Sequence, residues 1–102
     1  IRKAAFQKVS LRWTERAAEH LEMLHAYVAD DNPRAADAMI DHVLEAAERL
    51  AQFPQLGRKG RVPGTRELIL PGTQIILAYR THRNDVQILA VLHAARRWPD
   101  SF

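Results

Sequence analysis

The 102-residue sequence contains no cysteine, which excludes disulfide bonds and cysteine-ligated metals and is neutral about the compartment. Long apolar runs are also missing, and no stretch approaches the ~20 residues that a membrane-spanning helix needs. A secretory signal has an apolar core followed by a small-residue cleavage site, and the first residues, IRKAAFQKVSLRW, have neither. We therefore expect a cytoplasmic protein without a membrane segment.

Motifs of cofactor and metal chemistry are absent as well. The sequence has no glycine-rich phosphate loop, zinc-ligand pattern or nucleophile elbow. His20 and His25 are five residues apart on a predicted helix, not the three or four of a metal-binding pair, and we interpret both as surface residues. We expect neither a metal nor a cofactor.

What is present is the composition of one small globular domain. Hydrophobic residues make up 47% of the chain and charged residues 26%, which are ordinary values for a folded protein. A chain of this length supports one hydrophobic core and not two. We predict a single domain over residues 1–102, with residues 1–7 as an extension ahead of it.

The net charge of +3 conceals a segregation along the chain. Residues 1–14 carry four basic and no acidic side chains, residues 15–56 carry three basic and nine acidic ones, and residues 57–102 carry eight basic and three acidic ones. Such asymmetry favours a charged macromolecular partner on the basic side. The alternative is that the acidic and basic regions neutralise each other within the fold.

Two amphipathic helices are predicted in the acidic middle. The first follows Thr14, whose hydroxyl can accept a hydrogen bond from a free amide of the first turn. The second begins at Pro33 after the cap Asn32, because proline suits the first helical turn. Their short connection predicts an antiparallel helix hairpin. The apolar stripes, spaced by four and three residues, are Ala17, Leu21, Leu24 and Val28, and then Ala36, Ile40, Val43, Ala47 and Leu50, widened by Met39 and Leu44.

Four strands are predicted around this hairpin. Residues 8–13 alternate apolar and polar side chains, as a half-buried strand does. A basic loop rich in glycine and proline follows the second helix. Three strands then follow at residues 66–70, 74–80 and 86–93. They are joined by turns at Pro71-Gly72 and at Asn84-Asp85, the second lengthened by Thr81 to Arg83.

The order strand-helix-helix-strand-strand-strand predicts an α+β fold. We expect a two-layer sandwich in which the helix hairpin packs on a sheet containing a C-terminal antiparallel meander. The first strand must join that sheet, since its apolar face would otherwise have no partner. The apolar runs IILA and ILAVL indicate that the central strands are covered on both faces, or that one face awaits a partner.

Several local strings, in this order and spacing, resemble the ParE/RelE superfamily of bacterial toxins from type II toxin–antitoxin operons. The strings are LRWTERAAEHL, LAQFPQLGRKG, TREL, ILAYR and VQILAVLHAARRWP, and together they span residues 9–99. The ParE-like branch is the more similar one. The resemblance implies a RelE/ParE-like fold and a toxin neutralised by a cognate, ParD-like antitoxin, whose unfolded C-terminal segment folds upon it.

The resemblance also implies one of two targets. RelE-like members cleave messenger RNA in the ribosome, whereas ParE-like members inhibit DNA gyrase and so block replication. RelE-like members place an arginine in the third strand, three residues before a strand tyrosine, and counting back from Tyr79 gives Ile76. Isoleucine cannot stabilise the anionic transition state of RNA cleavage. The departure favours a gyrase-inhibiting binding protein of the plasmid-stabilisation type over an enzyme, with a ribosome-dependent endoribonuclease as the alternative.

The candidate target-binding residues are the basic and aromatic side chains of the last third, namely Arg66, Arg80, His93, Arg96, Arg97 and Trp98. A nuclease would use His93, Arg96 and Tyr79, with His93 as general base because its ordinary pKa lies near neutrality.

Each of these residues also has a purely structural interpretation. Arg66 and Arg80 can pair with acidic neighbours, His93 can close its strand through a hydrogen bond, and Trp98 can pack on the core. A third hypothesis is that the toxin fold serves only as a DNA-binding partner in regulation of its own operon.

Overall fold

The computed structural model describes residues 10–83 and 85–94. Two helices and five strands follow one another in the order β1, α1, α2, β2, β3, β4, β5. None of the described helices is long and apolar enough to cross a membrane. The elements are β1 Ser10–Trp13, α1 Glu15–Ala29, α2 Pro33–Gln52, β2 Arg58–Lys59, β3 Arg66–Ile69, β4 Ile75–His82 and β5 Asp85–His93.

Both helix starts are capped as the sequence predicts. The Thr14 hydroxyl accepts a hydrogen bond from the Ala17 amide at 3.1 Å, and the Asn32 side chain accepts one from the Ala35 amide at 3.1 Å. Thr14 also donates its hydroxyl to the Ile88 carbonyl at 3.1 Å. One side chain therefore starts α1 and ties it to the neighbouring strand, because the hydroxyl can accept and donate at once.

The strands form one mixed sheet in the order β1-β5-β4-β3-β2. β1 runs parallel to β5 at one edge, and the remaining neighbours are antiparallel. The predicted α+β sandwich, with the first strand in the sheet, is confirmed. The two-residue β2 was not predicted, since a pair of basic residues inside a glycine-rich loop gives no strand signal.

The core lies between the helix hairpin and one face of the sheet. Val43, Ala47 and Leu50 of α2 are buried in it together with Ile75, Leu77 and Tyr79 of β4, Val86, Ile88 and Val91 of β5, and Ala17 of α1. Leu44, expected to widen the α2 stripe, is instead 42% exposed, whereas Ala46, on the opposite flank of the stripe, is buried. The expectation was wrong because the buried stripe of α2 extends toward Ala46 and Met39 rather than toward Leu44.

The strand alternation defines a second, distal face of the sheet, turned away from the helices. Because Ile75, Leu77 and Tyr79 face the helices, the residues between them point the other way. The same alternation and the strand register place on the distal face Ser10, Arg12, Glu67, Ile69, Ile76, Ala78, Arg80, His82, Asp85, Gln87, Ala90 and Leu92. Ile76, Ala78 and Ala90 are buried there, which confirms that the central strands are covered on both faces.

The β4–β5 hairpin is tighter than predicted. Thr81 and His82 lie in β4 rather than in the turn, and His82 pairs with Asp85. Arg83 takes a positive φ of 56° in the turn. The strand signal of this end was missed because its side chains are polar and exposed.

Candidate functional site

The hydroxyl of Tyr79 organises the loop that follows α2. Tyr79 is fully buried, and its hydroxyl accepts a hydrogen bond from the Gly57 amide at 2.8 Å and donates one to the Pro54 carbonyl at 2.7 Å. Gly57 and Pro54, which precede Tyr79 by 22 and 25 positions in the chain, are thus fixed to the central strand β4. The tyrosine that the sequence offered as a nuclease group is fully engaged in holding this loop.

Arg66 joins the same loop instead of facing outward. It is the register partner of Tyr79, and its guanidinium donates to the Gly57 carbonyl at 2.7 Å and to the Gln55 side chain at 3.4 Å. The sequence left open whether Arg66 pairs with an acid or lines a basic groove. Within the described residues its partners are uncharged.

Burial raises the pKa of Tyr79 above its ordinary value, while the Gly57 amide and the charge of Arg66 lower it by less. The unfolded chain therefore ionises this phenol first, near pH 10. The contribution to stability is fully present below that pH and is lost as the pH rises above it.

We expect Tyr79→Phe to lower the free energy of unfolding by about 1.5 kcal/mol at neutral pH, because the buried Gly57 amide loses its acceptor. The difference from wild type should shrink above about pH 10, where the wild-type phenol ionises on unfolding. Denaturant unfolding at a series of pH values measures both effects. A difference that stays constant at alkaline pH would contradict the assigned role of the hydroxyl.

A buried carboxylate, Glu67, was not singled out from the sequence. It lies on the distal face with its side chain 1% exposed. Its oxygens accept from the Arg58 guanidinium at 3.2 Å and from the Arg61 amide at 2.8 Å, and the Arg61 side chain approaches to 3.8 Å. Glu67 therefore neutralises part of the positive charge of the basic last third within the fold itself. The sequence gives no signal for it, because the arginines that pair with Glu67 lie in the segment before β3 and meet it only in the fold.

Ile76 lies at the position where the resemblance implies an arginine in a RelE-like nuclease. It is 1% exposed and lies on the distal face between Ile69 of β3 and Leu92 of β5, its register partners. No charged side chain could act from this position without first being uncovered.

Two of the three nuclease candidates fall among the described residues, and they lie far apart. His93 is the register partner of Ile75, four residues along β4 from Tyr79. At about 3.4 Å per residue the Cα atoms of the two positions are about 14 Å apart. The Tyr79 hydroxyl is in addition bonded to Gly57 and Pro54, so it is not available to share a phosphate with His93. Arg96, the third nuclease candidate, and the target-binding candidates Arg97 and Trp98 lie outside the described residues.

Arg80 lies neither in the loop bound by Tyr79 nor at the end of β5 near His93. It is exposed on the distal face of β4, opposite Gln87 of β5. None of the described carboxylates is within ion-pair distance of it. The candidate residues of the sequence are therefore divided among three places: the Tyr79 loop, the distal face and the end of β5.

A groove of about 460 Å³ runs between α1 and the end of β5. Its α1 wall includes the exposed Met23 and Tyr27, which are 64% and 77% exposed. The lining residues are His20, Met23, Leu24, Tyr27, Val91, Leu92 and His93. His20, expected at the surface, is half-buried and accepts a hydrogen bond from the Val91 amide at 3.2 Å through Nδ1. That expectation was wrong because β1 pairs with β5 only as far as Ile88. Beyond that point a side chain of α1 supplies the hydrogen-bond acceptor for the Val91 amide.

His25 behaves as a surface residue, with its ring 3.0 Å from the Asp37 carboxylate. In the part of the chain described, no three histidine or acidic side chains are grouped so that they could hold a metal ion.

Comparison with known proteins places these features in context. A family model described as the ParE toxin of type II toxin–antitoxin system, parDE, matches residues 11–98. The chain is 43% identical over 89 residues to a putative toxin, Y4kP, of Sinorhizobium fredii, covering 87% of this chain and 92% of that protein. It is 34% identical over 84 residues to toxin RelE3 of Caulobacter vibrioides, covering 80% of this chain and 90% of that protein.

A solved structure shares the fold. It is described as the chromosomal ParDE TA system from P. aeruginosa and matches with a TM-score of 0.75 at 30% identity. The match covers 83% of this chain and 95% of the other chain.

Proposed function

This chain belongs to the family of ParE toxins of type II toxin–antitoxin systems, and on that premise we propose that it inhibits DNA gyrase and is neutralised by a cognate antitoxin. The proposal makes it a cytoplasmic binding protein rather than an enzyme, with a role in plasmid stabilisation. The structural match to a ParDE system supports the antitoxin partner.

The buried Ile76 is the observation that most favours gyrase over the ribosome as the target. RNA cleavage of the RelE kind needs a cation beside the reacting phosphate and a base and acid within hydrogen-bond reach. Here an apolar residue that is 1% exposed replaces the cation. Tyr79 is bonded to Gly57 and Pro54, and His93 is four strand positions away from it. These observations weigh against cleavage and leave inhibitory binding.

The groove between α1 and β5 is the surface that suits the antitoxin. Met23 and Tyr27 present exposed apolar area beside Leu24, which an amphipathic helix or an added strand would cover. Methionine adapts its shape to such a partner.

Gyrase inhibition can be tested with purified components. Supercoiling of relaxed plasmid by gyrase should fall as toxin is added, cleaved gyrase–DNA complexes should accumulate, and toxin already bound to its antitoxin should have no effect. Unimpaired supercoiling at a large molar excess of toxin would contradict the proposal. In parallel, primer extension on translated messages should show no codon-phased breaks; such breaks, abolished by His93→Ala, would establish the nuclease alternative.

A further inference from the structure

Two exposed arginines and a glutamine form a row across three strands of the distal face. Arg12 of β1 is the register partner of Gln87 of β5, which is the register partner of Arg80 of β4. Neighbouring strands lie about 4.8 Å apart, so the two arginine Cα atoms are about 10 Å apart with Gln87 between them. Within residues 10–83 and 85–94, neither arginine is close enough to a carboxylate to form an ion pair.

The surroundings of this arginine row are polar on the side of the β4–β5 turn, whereas Ala78 and Ala90 on its other side are buried. The next row toward the β4–β5 turn consists of Ser10, Asp85 and His82, and the exposed Arg83 lies in the turn itself. No side chain in the two rows is apolar, whereas protein–protein interfaces contain an apolar centre. A hydrated, repeating anion suits such a surface better than a protein does.

The two layers of the fold carry opposite charge. Residues 15–52, which include both helices, have nine acidic and three basic side chains, whereas residues 53–94, which include β2 to β5, have two acidic and six basic ones. One of those two acids, Glu67, is already paired with Arg58 and Arg61. A polyanion is therefore repelled from the helix layer and attracted to the sheet layer.

We propose that the arginine row binds the phosphodiester backbone of DNA. The arginine guanidinium matches a phosphate with two parallel hydrogen bonds, and the Gln87 amide can donate to a phosphate oxygen between them. Such contacts carry no sequence information, so they position the protein on any duplex. The proposal does not depend on which enzyme the toxin inhibits, although a toxin of gyrase would meet DNA in the gyrase–DNA complex.

The test is the salt dependence of DNA binding. Fluorescence polarisation with a short labelled duplex should show that Arg12→Gln and Arg80→Gln each reduce the slope of log K against log salt by about 1, and the double variant by about 2. The double variant should bind at least tenfold more weakly near 0.1 M salt. Arg34→Gln, which removes the same charge from the exposed start of α2, should leave the slope unchanged.

Two further measurements define what would overturn the proposal. The variants Arg12→Lys and Arg80→Lys should retain most of the slope, because the positive charge stays. The proposal fails if wild type does not bind duplex DNA at low salt, if the double variant matches Arg34→Gln, or if poly-glutamate binds as tightly as DNA. Supercoiling assays on the same proteins separate the two proposals: gyrase inhibition without DNA binding by the toxin would overturn only this one.

Discussion

Replacement of Gly57 by alanine is expected to lower the free energy of unfolding by about 3 kcal/mol. An added Cβ would lie 2.6 Å from the Tyr79 hydroxyl oxygen, 2.7 Å from a Tyr79 ring carbon and 2.8 Å from the Glu67 carbonyl oxygen. The Tyr79 ring is fully buried and the carbonyl belongs to the sheet, so neither can move aside cheaply. Overpacking then adds to the loss of the Gly57–Tyr79 hydrogen bond.

Thermal unfolding measures the effect, and the midpoint should fall by about 15 °C. Gly64→Ala is the matched control. Gly64 has a φ of 81° and open space where a methyl group would lie, so alanine there should cost only about 1 kcal/mol for its backbone conformation. Equal destabilisation by the two substitutions would mean that backbone freedom, and not the close approach to Tyr79, explains the glycine at position 57.

Glu67→Ala is expected to lower the free energy of unfolding by about 2–3 kcal/mol. The change removes a carboxylate that is 1% exposed and leaves the Arg61 amide without its acceptor. Breaking a buried charge pair costs about 3–5 kcal/mol, and the lower figure applies here because the Arg58 and Arg61 side chains are 56% and 47% exposed and can turn to water.

Denaturant unfolding and amide hydrogen exchange test this second substitution. Exchange at the Arg61 amide should quicken in Glu67→Ala, since the connection between β2 and β3 loses its anchor. Glu48→Ala removes the same group from an exposed position on α2 and should change stability by less than about 0.5 kcal/mol. An unchanged free energy of unfolding in Glu67→Ala would show that the buried carboxylate does not stabilise the fold.

Both substitutions act near the beginning of β3, where the loop after α2 meets the sheet. The two candidate target-binding arginines of this part of the sheet differ in whether the loop after α2 binds their side chains. Arg66 is tied to Gly57 and Gln55, whereas Arg80 is exposed and stands in a row with Gln87 and Arg12. We therefore propose Arg80 and Arg12, rather than Arg66, as the residues of the described sheet that contact a macromolecule.

The types and order of the main elements could be predicted because their signals are local. Apolar spacing of three and four, the caps Thr14 and Asn32, and the turn at Pro71-Gly72 each act within a few residues. Composition and the ordered strings were sufficient for the family. The misses were residues whose surroundings come from distant parts of the chain, such as His20, whose ring accepts a hydrogen bond from the Val91 amide of β5.

The sequence by itself determined an α+β toxin-family domain with a segregated charge, because periodicity, caps and charge are read along the chain. Only the tertiary structure decided that Tyr79 holds Gly57 and Pro54, that Glu67 pairs with Arg58 and Arg61, and that Arg12 and Arg80 flank Gln87. These contacts join residues far apart in the chain and depend on strand register. A slip of one residue would turn every side chain of a strand to the other face.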